Sequence, residues 1–166
     1  MNMINKNMLR ALLLCASVLA LNACNAAEPA SSAQLAPYKA QLFSLTMNTK
    51  SPVDNKNHYV KEFDQAFDAM LAQSALAKTT KNKVPLKKRL MSGPQPDPAI
   101  VQDKASGRQY VYYEACQAHV CDETNLAVLY APASKAMLGR LHIDGKDEFL
   151  GKPTAAEQAL LSPPKP

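Results

Sequence analysis

Two cysteines five positions apart, Cys116 and Cys121 in the stretch EACQAHVCDE, constrain this chain more than any other feature. Strand-favouring runs flank them, RQYVYYEA before and NLAVLYA after, rich in tyrosine and valine. A cross-link there staples a loop at a strand end, where a rigid sheet can present it. The enclosed residues are Gln117, Ala118, His119 and Val120, and His119 is the ionisable one among them.

Whether the two sulfurs join depends on the compartment, and the first residues address that. Lys6 and Arg10 precede the apolar run ALLLCASVLAL, which reads as a secretory signal and is too short to span a membrane. The following Leu21-Asn22-Ala23-Cys24 resembles the bacterial lipobox, in which the signal is cut ahead of a cysteine that is then acylated. The plain alternative is secretion with a cut near AAE. On the lipobox reading residues 1–23 are a lipoprotein signal, Cys24 carries the lipid, and Asn25 behind it points to the outer membrane. The expected location is the periplasm. Cys15 leaves with the signal, so Cys116 and Cys121 remain in the folded part and are expected to form a disulfide. Closing so small a ring is worth roughly 2 kcal/mol on the chain-entropy model, so its main effect is on the loop's shape.

Removing the first 23 of 166 residues leaves 143, a length that suits one domain. It also removes two of the 19 basic residues and none of the 14 acidic ones, which takes the net charge from +5 to +3. That balance is modest and does not point to nucleic acid.

Residues 24–37, small, polar and proline-bearing, read as a flexible tether without structure. The single domain then runs over residues 38–166. A short helix is expected between Tyr38 and Met47. A longer one is expected in NHYVKEFDQAFDAMLAQSAL, where Phe63, Ala66, Phe67, Met70 and Leu71 recur at three- and four-residue steps. Lys78, Lys81, Lys83, Lys87, Lys88 and Arg89 follow with no acidic residue among them, either a solvated loop or a surface for anionic lipid or cell-wall polymer. After the break at SGPQPDP, AIVQ and RQYVYYEA form a hairpin. NLAVLYA and KAMLGRLHI supply a third and a fourth strand, closed by the DGKD turn. PTAAEQALL starts a helix with Thr154 as N-cap and Glu157 three residues later. The fold class is α+β: an antiparallel meander β-sheet flanked by helices.

Chemistry at the loop narrows by residue type. The chain has no GxSxG elbow, P-loop or HExxH, and a disulfide-bonded cysteine is no nucleophile. Cys-x₂-His-x-Cys is a three-residue zinc set on paper, but an oxidising location favours the disulfide. No cofactor or metal is implied, and enzyme is the weakest class. His58 and His142 read as ordinary surface or packed histidines, the first in a helix start and the second in a strand. For His119 the plain reading is an incidental loop histidine. The sharper one is a plug, because an imidazole can enter a narrow cleft and hydrogen-bond two carboxyl groups at once. Retaining glycosidases offer such a pair roughly 5 Å apart.

From about Phe63 to Leu161 the sequence resembles the inhibitor of vertebrate lysozyme (Ivy) family. The likeness is carried by VPLKKRLMSG and by QYVYYEACQAHVCDETNLAVLYAPASKAMLGRLHIDGK. It implies an Ivy-like sheet flanked by helices, a homodimer, and inhibition of c-type lysozyme by a loop histidine pressed against the catalytic carboxylates. By that resemblance His119 is the inhibitory histidine, and Gln117, Ala118, His119 and Val120 form the target-binding loop, stapled by Cys116 and Cys121. The family loop reads Cys-Lys-Pro-His-Asp-Cys. Here Gln117, Ala118 and Val120 replace its lysine, proline and aspartate, so a looser loop is expected. The implied partner is a muramidase, lysozyme or a lytic transglycosylase. The other reading is an envelope immunity or binding protein on the same scaffold that meets a toxin or cell-wall polymer through another surface.

Overall fold

Alternation along QYVYYEAC turns Val111, Tyr113 and Ala115 to one face, where all three are buried, and Tyr112 and Glu114 to the other. The computed structural model, which describes residues 30–162, builds a sheet on that pattern. Its strands are β1 (Ala99–Gln102), β2 (Gln109–Cys116), β3 (Thr124–Ala131), β4 (Ala136–Ile143) and β5 (Lys146–Leu150). They lie in sequence order and each pairs antiparallel with the next, so the sheet is a five-stranded meander. The α+β architecture expected from the sequence is present. The fifth strand was not foreseen, since KDEFL is short and mostly exposed. The signal segment and Cys24 lie outside the described residues.

Helices α1 (Ser32–Leu35), α2 (Leu42–Thr46), α3 (Lys61–Leu71), α4 (Ala75–Thr79), α5 (Leu86–Leu90) and α6 (Ala155–Leu161) accompany the sheet. One face carries the main core, in which Leu42, Leu45, Phe63, Phe67, Met70 and Leu90 meet Val111, Tyr113, Leu126, Val128, Tyr130 and Leu141. Phe63 and Phe67, both 0% exposed, sit four residues apart on α3, so one turn of helix delivers two rings to the sheet. Truncating either to alanine would cost roughly 3–5 kcal/mol. Helix α3 approaches β4 at Gly139, where a Cβ would stand 2.9 Å from the Met70 sulfur. On the opposite face Leu161 packs with Tyr110, Leu129, Ala131 and Leu138.

The region read as a structureless tether is helical in its described part. Ser31 accepts from the Gln34 N–H while the Gln34 side chain accepts from the Ser31 N–H, a capping box that starts α1 and seats Leu35 in the core. Ala36–Tyr38 continues as a 3₁₀ turn. The long amphipathic segment is likewise two helices. It breaks after Leu71, and α4 restarts on Ser74, whose hydroxyl accepts from the Ala77 N–H. The Glu148 carboxylate of β5 accepts from the Ser74 hydroxyl and from the N–H groups of Ala75 and Leu76. A strand residue thereby satisfies helix donors that would otherwise lack partners.

The basic stretch is not a uniform solvated loop either. Pro85 opens α5 there, and Leu90 inserts fully into the core. Lys87 pairs with Asp64 and Asp68 of α3, and Arg89 is buried. Lys78, Lys81, Lys83 and Lys88 remain exposed.

Candidate functional site

The staple loop continues β2 and β3 beyond their last pair, Cys116 with Asn125. Its base is closed by the backbone: the Gln117 N–H donates to the Thr124 carbonyl at 3.0 Å, and the Thr124 N–H to that of Val120 at 2.8 Å. Its tip is a turn in which the Val120 N–H donates to the Gln117 carbonyl at 3.2 Å. His119, the third residue of that turn, has φ 71°, in the left-handed region. Turns with a left-handed third residue ordinarily use glycine or asparagine, and histidine is one of the few other residues enriched there. His119 stands exposed at the tip of this turn.

Cys116 and Cys121 form the disulfide, with Cα atoms 4.9 Å apart. Cys116 is buried, Cys121 is half-buried, and the Asn125 amide donates to the Cys121 carbonyl at 2.8 Å. With both sulfurs joined, the Cys/His set offers no thiolate for metal or redox chemistry.

The C-terminal end of α5 braces the loop at three successive residues. The Gly93 N–H donates to the Cys116 carbonyl at 3.0 Å, Arg89 Nη1 donates to Gln117 Oε1 at 3.0 Å, and the Ala118 N–H donates to Ser92 Oγ at 3.1 Å. The Ser92 hydroxyl in turn donates to the Arg89 carbonyl at 2.6 Å. The looseness expected from the absence of proline at Ala118 is opposed by these contacts, which come from a segment far away in sequence. Arg89, Ser92 and Gly93 were missed as site residues. Pro85 followed by Leu86 and Leu90 one turn apart signals the helix, but the sequence carries no sign of what that helix touches.

Among the described residues, the three histidines differ in their partners. His58 lies ahead of α3, not within its start, and meets Asp54 at 2.7 Å, while His142 of β4 meets Asp147 of β5 at 2.8 Å. The His119 ring is exposed and has no side-chain or backbone partner. Beside it Asp122 and Glu123 are exposed, and the Asp144 N–H donates to the Glu123 carbonyl at 2.9 Å, so a third exposed carboxylate residue adjoins the loop.

A meander sheet that holds a cross-linked loop out from one end, with an unengaged imidazole at its tip, defines a protein that presents a rigid loop. The model of the family described as inhibitor of vertebrate lysozyme (Ivy) matches residues 71–165, more than half of the chain, and the chain belongs to that family. The matched part takes in α4, α5, the whole sheet, the staple loop and its brace. No match was found among curated proteins or among solved structures.

Proposed function

We propose that this chain is a periplasmic, lipid-anchored inhibitor of a peptidoglycan-cleaving muramidase, either c-type lysozyme or a lytic transglycosylase, and that His119 enters the catalytic cleft. The observation that carries the reading is the state of His119: exposed, free of partners among the described residues, and fixed in a left-handed turn between a disulfide and a helix-derived brace. Two ring nitrogens on a small plane suit a cleft that bears two carboxyl groups. A loop already rigid before contact loses less entropy on docking. Membership of a family of lysozyme inhibitors supports a protein target rather than a reaction of its own. Acylation at Cys24 would hold the domain on the outer membrane, where it guards the polymer that such enzymes cut. A homodimer, the association implied by the family, is compatible with this role.

The test is residual lysozyme and lytic transglycosylase activity on peptidoglycan against increasing amounts of the mature chain carrying Cys24→Ser, which removes the acyl site. Parent, His119→Ala and His119→Asn are compared, because alanine at φ 71° adds backbone strain that asparagine tolerates. Near-stoichiometric inhibition by the parent, with at least a tenfold loss in both variants, corresponds to about 1.4 kcal/mol or more and supports the plug. Lack of inhibition of either enzyme overturns it, and the exposed lysines of residues 78–88 then become the surface to pursue, as in an envelope immunity or polymer-binding protein.

A further inference from the structure

Of the three contacts that brace the loop, the one from Arg89 is the hardest to account for by stability. The residue is 8% exposed, its Nε has no hydrogen-bond partner, and the described ion pairs give it no carboxylate. Among the described residues its side-chain hydrogen bond is the one from Nη1 to Gln117 Oε1. Burying most of an arginine side chain, its Nε unpartnered, on one hydrogen bond is unfavourable, and an apolar side chain of similar volume is often neutral or stabilising at such a place. Leu86 and Leu90 on the same short helix pack on the core, so the helix is seated without the arginine.

What Arg89 does have is Gln117, the residue on which the turn depends. Gln117 receives the Val120 N–H that closes the tip, gives its own N–H to Thr124 at the base, and fixes its side chain on Arg89. Neither Gln117 nor Ala118 restrains its own backbone as proline would. We infer that Arg89 is a positioning residue for inhibition: by holding Gln117 it maintains the left-handed turn at whose tip His119 stands exposed, and the buried arginine is retained for that purpose at some expense in stability. This deepens the muramidase-inhibitor reading and rests on it.

The experiment uses the mature chain with Cys24→Ser and compares parent, Arg89→Leu and Gln117→Leu, which breaks the same bond from its other end. Three quantities are read: melting temperature, hydrogen exchange at the Val120 amide against Val128 in β3, and the inhibition constant for the responding muramidase. Arg89→Leu is expected to melt at the parent's temperature or above it, to exchange Val120 at least tenfold faster with Val128 unchanged, and to inhibit at least tenfold less well. Gln117→Leu is expected to do the same at the loop, and the double variant to lose no more than either single. A merely structural arginine would lower the melting temperature and loosen Val128 together, which would overturn the inference. So would Val120 exchange within twofold of the parent in Gln117→Leu, the variant that decides if Arg89→Leu does not fold. His119→Asn is run alongside: if it inhibits like the parent, the plug reading fails, while the exchange data still judge Arg89 separately.

Discussion

Gly93 and Cys116 are in backbone contact so close that no side chain fits between them: the Gly93 N–H donates to the Cys116 carbonyl at 3.0 Å, and a Cβ on Gly93 would stand 2.4 Å from that oxygen and 2.8 Å from the Cys116 sulfur. The obstacle is mainly backbone and disulfide, neither of which can swing aside. Gly93→Ala should therefore push the segment after α5 away from the staple and destabilise by about 1–3 kcal/mol, as overpacking does. Urea unfolding measures the loss, and inhibition should fall with it because Ser92 moves too. An unchanged midpoint would mean that the contact yields without penalty.

Removing the staple separates loop shape from fold stability. Cys116→Ser with Cys121→Ser should lower stability by roughly 2 kcal/mol, the chain-entropy value for so short a ring. The core is built elsewhere, so the pair of substitutions should leave a folded domain. Inhibition should suffer more than stability, since the turn at His119 would be held only by its backbone hydrogen bonds and the brace. Circular dichroism melts and the inhibition assay on one preparation decide this. Parallel loss of fold and activity would contradict it.

The strands were legible because runs of tyrosine, valine and leucine lie between turn signals; alternation against a buried face marks β2, whereas in β3 Leu126 to Ala131 are all buried. The helix at Ala155 was legible through Thr154 and Glu157, which form the capping box that their spacing implies. Helix α1 carries the same signal in Ser31 and Gln34, but it sits in a small, polar stretch whose composition reads as linker. Strand β5 was hidden because Lys146, Asp147 and Glu148 resemble a turn, and only pairing with β4 makes them a strand. The basic segment reads as one charge block, whereas contacts divide it: Lys87 goes to Asp64 and Asp68, Arg89 to Gln117, and the other lysines to solvent. Such a division depends on which helix lies against which strand end, and periodicity does not encode that.

Acid should loosen the last helix through Glu157. Burial alone would raise its carboxyl, but the Tyr110 hydroxyl, the N–H and hydroxyl of Thr154 and the nearby Arg108 hold it below the usual carboxylate range. Glu148, also pushed up by burial, is lowered by its bonds to Ser74, Ala75 and Leu76. A carboxyl depressed in the folded state stabilises above its unfolded value of about 4.3, and that contribution disappears as pH falls through the folded value. Stability should accordingly drop from about pH 5 downward. Glu157→Gln should be less stable at neutral pH and show a flatter acid limb. An equally steep limb in the variant would exclude Glu157 as a contributor.

Alkali should act through the tyrosines. Burial, with the Glu157 carboxylate beside it, pushes Tyr110 up to about 12, and burial raises Tyr112, Tyr113 and Tyr130 as well. For groups raised in this way the stabilisation is complete below the ordinary phenol value near 10 and disappears as pH climbs through the folded values. Phenolate absorbance should show these residues ionising late and together with loss of the circular dichroism signal. Early, independent ionisation of all six tyrosines would show that the phenols are accessible in the folded protein.

Exposed carboxylates beside the loop predict a salt effect. The chain is net positive, which opposes encounter with a basic lysozyme, yet Asp122 and Glu123 directly follow the staple and Asp144 adjoins them through its backbone bond to Glu123. Exposed charges act within a Debye length, about 10 Å at 0.1 M salt, so these carboxylates bear on a partner at the loop, against the exposed Lys88 and Lys146 that lie on neighbouring segments. Asp122→Asn with Glu123→Gln should slow association with a basic lysozyme several-fold at low salt, with little change in dissociation, and the deficit should shrink as salt is added. Stopped-flow association at two salt concentrations reads this. If the variant associates as fast as the parent or faster, the carboxylates do not steer this encounter and the prediction fails.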